Sequence, residues 1–366
     1  MVLEENDDSV FDPQITEELV ETQYGDVHCI MTGTPRANRP VILTFHDVGL
    51  NHKSCFETLF NHEDMQEIVR HLPVCHVEAP GQHEEAKTLP TAYTYPTMDQ
   101  LSEVLPAVLN YFDINSVIAV GVGAGAYILA RFALNYPDLV DGLVLININP
   151  NAESLMDTVA NKITDWTLTL PDKVITHLFG KDEILTNQDL VATYRHYFTT
   201  TMNQSNVSQF LRSYNNRNAL EVERPVAGGN VNVRTLMCPS LLVVGDNSPA
   251  VEAVVDCNSK LNPTKTTLLK VNDQMGRENS RTPLVYLTIG LPPIGCAAPN
   301  NDPHQSHENP ALLAFYLLMK NSRIPLVYRC IIMALHHAKP LLLPHAPNFH
   351  VLFRITYNTK HMDSSH

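Results

Sequence analysis

The sequence predicts an α/β fold in which a mostly parallel sheet is covered by helices on both faces. Short apolar runs rich in β-branched residues alternate with segments whose apolar residues recur at helical spacing. A glycine-rich turn at residues 121–125 joins one such run to one such helix, and residues 151–225 carry helical patterns alone. Strands that alternate with helices form parallel sheets, so we interpret the helical stretch as a cap inserted over the sheet.

Length, charge and cysteine content restrict the class of protein. A chain of 366 residues fits one domain of roughly 250 residues with an appendage. Its net charge of −14 argues against a nucleic-acid partner, because phosphate binding needs a basic face. Seven cysteines without CxxC spacing indicate reduced thiols in a cytoplasmic protein. The N-terminus lacks the apolar run of a signal peptide, and we expect residues 1–22 to be a flexible acidic leader.

The main domain, expected at residues 23–273, opens with strands and one well-marked helix. Residues 26–31, 40–45 and 74–77 are the expected strands. Thr97 begins a helix because Gln100, three residues later, completes a capping box. Pro106 should kink that helix.

The glycine-rich turn has the pattern of a nucleophile elbow. Ser116–Val120 reads as a buried strand and Ala126–Leu134 as a helix. Between them stand Gly121, Gly123 and Gly125, small residues that let the backbone pack closely while the central side chain points to solvent. In a hydrolase that central residue is the nucleophile, but glycine has no side chain. The sequence therefore predicts an α/β-hydrolase-like architecture with a degenerate elbow.

After the elbow, strand and helix alternate on either side of the cap. The expected strands are residues 142–146, 240–244 and 266–271, and a helix is expected at 251–261. Within the cap, helices are expected at residues 152–168, 173–179, 187–198 and 206–214.

Three residues are candidates for a vestigial pocket. His46 and Asp47 follow a strand, in the loop where many α/β hydrolases place the N–H groups of an oxyanion hole. Asp246 directly follows Gly245, near the place of a catalytic acid. The histidine of a triad should follow Val271, but the chain there reads NDQ. We therefore assign no catalytic residue.

Other polar clusters receive no role. His46, Asp47 and His52 could be metal ligands, but nothing fixes a further ligand, so we interpret His46 as bracing its loop and His52 as exposed. Cys75 and His76 are strand neighbours whose side chains point to opposite faces. The runs at residues 62–64 and 83–85 are interpreted as solvated surface. We predict no metal and no cofactor.

Five separated blocks of sequence carry a resemblance to a known family. They are NRPVILTFHDVGLNHKSCF, VCHVEAPGQ, GVGAGAYILARFALNYPDLVDGLVLININPNAE, HLFGKDE and CPSLLVVGDNSPAVEAVVDCNSKLNPTKTTLLK. Together they resemble the N-myc downstream-regulated family over about residues 20–270. The resemblance implies an α/β-hydrolase-like fold without hydrolase activity. It also implies cytoplasmic proteins that act through other proteins in stress response, differentiation, growth control and trafficking.

The tail at residues 274–366 departs from the family pattern. It is mildly basic and punctuated by prolines, and we expect it to be poorly ordered. Charged residues and Pro325 interrupt its most apolar stretch, Leu312–Leu335, so we predict no transmembrane segment.

Three classes of function remain open. The leading one is a non-catalytic signalling or adaptor protein with protein partners, and peripheral association with membranes stays open. The second is a hydrolase with a displaced site, for which Asp246 and His46 are the first candidates. The third is a module that binds a small apolar ligand under the cap. Fold alone does not decide among them.

Overall fold

The computed structural model describes residues 14–37, 39–61, 63–153, 168–226, 228–229 and 233–271. The tail expected at 274–366, residues 1–13 of the expected leader and most of the first expected cap helix lie outside these residues.

Eight strands form one mixed sheet among the described residues. The strands are β1 Ile15–Val20, β2 Val27–Thr32, β3 Val41–Phe45, β4 Val74–Glu78, β5 Val117–Val122, β6 Val140–Ile146, β7 Ser240–Gly245 and β8 Thr266–Val271. Their order in the sheet is β1-β2-β4-β3-β5-β6-β7-β8. The pairs β1/β2 and β2/β4 are antiparallel, and the remaining pairs are parallel. The predicted mostly parallel sheet is confirmed.

Some of the described helices pack on the strands, and others form the cap. Before the cap they are α1 His52–Phe60, α2 Glu63–Val69, α3 Met98–Glu103, α4 Leu105–Tyr111 and α5 Ala124–Asn135. The cap contains α6 Leu170–Leu178, α7 Lys181–Thr186, α8 Gln188–Thr200 and α9 Gln204–Asn215, and α10 Val251–Lys260 lies between the last two strands. Helix α5 packs on β3, β5 and β6, α1 packs on β4, and α10 packs on β7 and β8.

The central strands are buried on both faces. Every residue of β3, β4, β5 and β7 is buried, although side chains alternate between the two faces of a strand. Continuous apolar runs are therefore the pattern that these positions require, which is why they could be identified from the sequence.

The first strand corrects the expected leader. Residues 15–20 lie within the segment expected to be flexible, yet they form β1 and pair with β2 along its whole length. Val20 is the one buried residue of β1, whereas Ile15 and Leu19 are exposed. The strand is held by backbone pairing at the edge of the sheet, and its sequence lacks the alternation that marks a half-buried strand.

The helix predicted to begin at Thr97 is divided in two by its proline. Thr97 Oγ1 accepts a hydrogen bond from Gln100 N, and Gln100 Oε1 accepts one from Thr97 N, so the predicted capping box is present. Helix α3 ends before Val104, and Pro106 lies in the first turn of α4. Proline suits a first turn because its missing N–H would have no helical partner there.

In the cap, the structure adds one helix to those predicted. Helices α6, α8 and α9 correspond to the predicted segments, with ends shifted by a few residues. Helix α7 has six residues, none of them buried, so it carries no apolar stripe that the sequence could display.

We expect Thr97→Ala to lower the free energy of unfolding by about 1 kcal/mol, because Gln100 N loses its capping acceptor. Denaturant unfolding of the full chain measures the effect. Thr97→Ser is the control, since it keeps the hydroxyl and should stay close to the parent. Equal losses in both variants would contradict the cap as the cause.

Candidate functional site

The elbow lies between β5 and α5, and Gly123 is its central residue. Gly123 has a φ of +53°, in the region that favours glycine, and its N–H donates to Ile146 O at 2.9 Å. The strand, sharp turn and helix expected from the sequence are all present. The predicted degenerate elbow therefore has the backbone of a nucleophile elbow.

The flanking glycines are required by close approach of the backbone. A Cβ on Gly125 would lie 2.0 Å from Phe45 O, at the end of β3. A Cβ on Gly121 would lie 2.7 Å from Ala126 N, in the first turns of α5. Both neighbours are backbone atoms, which cannot turn aside as a flexible side chain can. These two positions fix how tightly the elbow packs against β3 and α5.

The Asp47 side chain occupies the space in front of the elbow. A Cβ built on Gly123 would lie 1.9 Å from Asp47 Oδ2. Asp47 Oδ1 accepts hydrogen bonds from Val48 N at 2.7 Å and from Ala124 N at 2.9 Å. The Asp47 side chain is 5% exposed, so these backbone donors replace water around its charge.

The two backbone donors have the positions of an oxyanion hole. In α/β hydrolases the hole is made by the N–H of the residue after the nucleophile and an N–H from the loop after the third strand. Ala124 follows Gly123, and Val48 lies in the loop after β3. Such donors lie about 2.7–3.1 Å from the oxyanion they stabilise, which is the range that Asp47 Oδ1 occupies. The protein's own carboxylate thus lies where a reaction intermediate would carry its charge.

His177 from the cap completes the surroundings of Asp47. Its Nε2 lies 2.9 Å from Asp47 Oδ1, and because an ionised carboxylate can only accept, Nε2 carries the hydrogen. The His177 ring also makes an edge contact with Tyr214 of α9, with centroids 5.2 Å apart. Sequence reasoning placed a helix here but missed this histidine, since its partner lies 130 residues away along the chain.

His46 braces the loop, as the sequence interpretation proposed. The residue is fully buried, and burial lowers the pKa of its imidazole below the ordinary value, so the ring is neutral. Its Nε2 accepts from Ala79 N at 3.0 Å, and its Nδ1 therefore donates to Asp47 O at 2.8 Å. Both ring nitrogens are engaged with the backbone, which leaves neither as a base or a metal ligand.

Asp246 lies apart from this centre. Its carboxylate pairs with Lys270 Nζ at 2.7 Å, and both side chains are partly exposed. Ser248, nearer to the place of a catalytic acid, donates to Asn147 Oδ1 at 3.0 Å. Of the three candidates for a vestigial pocket, the structure brings His46 and Asp47 together and gives Asp246 a different partner.

The remaining polar clusters behave partly as expected. Burial lowers the pKa of His76 to about 3, and its Nδ1 lies 2.7 Å from Thr44 Oγ1. Cys75 is buried and not in a disulfide. His52 was expected to be exposed, but it is partly buried because its Nδ1 pairs with Glu78 Oε1 at 2.5 Å. His83, expected on solvated surface, is also partly buried.

The cap packs directly on the loops around the elbow. Asn206 of α9 donates from Nδ2 to Gly81 O and Lys87 O, and its Oδ1 accepts from Leu89 N. A Cβ on Gly49 would lie 2.5 Å from the Val174 side chain of α6. These contacts hold the cap closed over His46 and Asp47.

Comparison with known proteins identifies relatives by sequence. A family model described as "Ndr family" matches residues 17–288. The chain is 61% identical over 254 residues to Protein NDRG1 of Xenopus tropicalis, a match covering 69% of this chain and 64% of that relative. It is 55% identical over 263 residues to Protein NDRG3 of the same species, covering 72% and 67%. The chain therefore spans less than two thirds of the length of its NDRG1 relative.

Solved structures share the fold at low sequence identity. MGS-M2, an alpha/beta hydrolase enzyme from a Medee basin deep-sea metagenome library, matches with a TM-score of 0.53 and 15% identity, over 75% of this chain and 96% of that one. Est816, titled an N-acyl homoserine lactone degrading enzyme, matches with a TM-score of 0.53 and 13% identity, over 74% and 95%. At such identities the likeness shows the α/β-hydrolase fold alone.

We expect Gly123→Ser and Asp47→Ala to couple strongly in their effects on stability. The serine Cβ must displace the Asp47 carboxylate, which adds to a cost of about 1 kcal/mol for a side chain at positive φ. Removing the Asp47 side chain makes room for it, so the double variant should be more stable than the sum of the single losses by about 1–3 kcal/mol. Denaturant unfolding of all four proteins measures this coupling.

Gly228→Ser is the matched control for the serine substitution. Gly228 also has positive φ, at +79°, but a Cβ there would have no atom within 4 Å. This variant should lose about 1 kcal/mol and show no coupling with Asp47→Ala. Additive losses for Gly123→Ser and Asp47→Ala would contradict the steric conflict.

Proposed function

This chain belongs to the Ndr family, and on that premise we propose that it is a non-catalytic cytoplasmic protein that acts by binding other proteins, in signalling linked to stress response, differentiation and growth control. One observation carries the proposal: the Asp47 carboxylate accepts the hydrogen bonds that an α/β hydrolase offers to its reaction intermediate. The resemblance stated on sequence grounds is confirmed, and the family match extends to residue 288, beyond the expected end near 270.

The chemical requirements of ester hydrolysis support the interpretation that this protein is non-catalytic. Gly123 offers no nucleophile, and a carboxylate in the oxyanion hole repels a second negative charge. Enzymes that lose their triad keep some rate from the oxyanion hole and from substrate binding. Here Asp47 engages both backbone donors, so that residual contribution is removed as well.

The alternative that the protein is a hydrolase with a displaced catalytic site receives little support. It relied on Asp246 and His46, but Asp246 pairs with Lys270, and His46 engages both its ring nitrogens with backbone groups. A general base needs a free lone pair within hydrogen-bond reach of the proton it abstracts.

The alternative that the protein binds a small apolar ligand under the cap is also less favoured than the protein-binding function. Phe210 of α9 meets the His46 ring edge-on, with centroids 5.8 Å apart, and both residues are fully buried. Tyr214 of the same helix lies against His177. These contacts put aromatic side chains of the cap against residues beside the elbow, where a hydrolase binds its substrate.

We expect the purified full chain to hydrolyse short aryl esters no faster than buffer. Gly123→Ser should remain inactive, because a serine is a weak nucleophile unless a general base takes its proton, and His177 Nε2 is engaged with Asp47. Spectrophotometric turnover and labelling by a fluorophosphonate measure both expectations. Turnover that survives purification and disappears in Asp47→Ala or in Asp246→Ala would contradict the proposal.

Proximity labelling in cells tests the protein-binding half of the proposal. A labelling enzyme fused to the full chain should mark a reproducible set of cytoplasmic proteins. Gly125→Ala is the control, because its Cβ would lie 2.0 Å from Phe45 O and prevent the elbow from closing. The labelled set should be lost in this variant. Identical sets for the parent and the variant would mean that the folded domain recruits no partner.

A further inference from the structure

A second cluster of ionisable side chains lies on the antiparallel side of the sheet. His28 of β2 and Glu78 of β4 are directly paired in the strand register, so their side chains lie on the same face. Glu17 of β1 reaches His28 from the neighbouring strand, and His83 lies in the loop after β4. The rings of His28 and His83 are in contact, with their centroids 4.6 Å apart and their planes tilted by 31°.

Glu78 is a fully buried carboxylate whose described ion-pair partners are histidines. Its Oε2 lies 3.1 Å from His28 Nδ1, and its Oε1 lies 2.5 Å from His52 Nδ1. The backbone N–H of His52 donates to the same Oε1 at 2.9 Å. Burying a carboxylate is costly unless a cation or several donors compensate it. Three N–H groups compensate Glu78 here, and two of them belong to imidazoles, which also bind transition-metal ions.

His28 stands between two carboxylates. Its Nε2 lies 2.6 Å from Glu17 Oε1, while its Nδ1 faces Glu78. Burial lowers the pKa of His28, but the two carboxylates raise it above the ordinary value overall, which favours an imidazolium that donates to both. A metal ion bound by Nδ1 and Glu78 can take the place of the Nδ1 proton. Nε2–H then donates to Glu17, as in the carboxylate–histidine–metal arrangements of known sites.

His83 supplies a third ligand. Its Nδ1 is buried and has no hydrogen-bond partner among the described residues. One potential ligand atom from each of His28, Glu78 and His83 lies within 4.8 Å of the others. Zinc binds imidazole nitrogen and carboxylate oxygen at about 2.0–2.2 Å, so ligand atoms on one ion are roughly 3.3 Å apart. Metal binding would bring the three ligand atoms from within 4.8 Å of one another to this spacing.

We propose that His28, Glu78 and His83 bind a divalent transition-metal ion, for which Zn²⁺ is the best-fitting candidate, and that Glu17 positions His28. Two imidazoles and one carboxylate suit zinc, whereas magnesium and calcium prefer all-oxygen sites. Three protein ligands leave a fourth position for water or for a ligand from another molecule. The cluster lies apart from Asp47 and does not depend on the proposed function.

Zinc titration of the full chain, purified without a metal-affinity tag and stripped with a chelator, tests this site. Isothermal titration calorimetry should show a site whose affinity falls at least about tenfold in His83→Gln. Glu17→Gln, which removes no ligand, should weaken it about 10–100-fold, because an uncharged amide oxygen holds His28 Nε2–H less strongly than the carboxylate does. Co²⁺ should give a visible absorption band in the parent that is absent in His83→Gln.

His196→Gln is the matched control, since the chain has 17 histidines and His196 is exposed on α8. It should bind Zn²⁺ as the parent does. Thermal unfolding in chelator should be the same for the parent and His83→Gln, and Zn²⁺ should raise the midpoints of the parent and of His196→Gln by more than that of His83→Gln. Parent-like affinity in both His83→Gln and Glu17→Gln, or an equal loss in His196→Gln, would overturn the proposal.

Discussion

A buried carboxylate needs hydrogen-bond donors, and the donors to Asp47 come from three separate parts of the fold. Two donors are backbone N–H groups that follow the neighbouring parallel strands β3 and β5, from Val48 and Ala124, and the third is His177 of the cap. Removing one partner of a buried charge typically costs about 3–5 kcal/mol. The loop after β3, the elbow and the cap are therefore joined through one side chain, and the absence of a side chain at Gly123 is what makes room for it.

Local features of this structure could be predicted from the sequence, whereas its central interaction could not. The capping box of Thr97 and the glycines of the elbow depend on residues within a few positions of one another. Asp47 meets Ala124 across 77 residues and His177 across 130, and neither contact leaves a local pattern. β1 was missed for a different reason: edge pairing holds it, and a single residue of the strand is buried.

Asp47 and Glu78 are both buried carboxylates, and different groups compensate their charges. Asp47, after β3, is neutralised largely by backbone dipoles that are fixed by the fold. Glu78, at the end of β4, has imidazoles as its ion-pair partners, and these can exchange protons or bind metal ions. The Asp47 centre has one imidazole among its three donors, and the Glu78 centre has two.

The contact between Gly123 and Asp47 also constrains how this scaffold can change. A serine at position 123 collides with the carboxylate, and loss of the carboxylate alone leaves two buried backbone donors and the partly buried His177 without that acceptor. Each single substitution therefore gives a less stable protein. Because a side chain at position 123 and a carboxylate at position 47 claim the same space, a change at one position is tolerated better when the other changes with it.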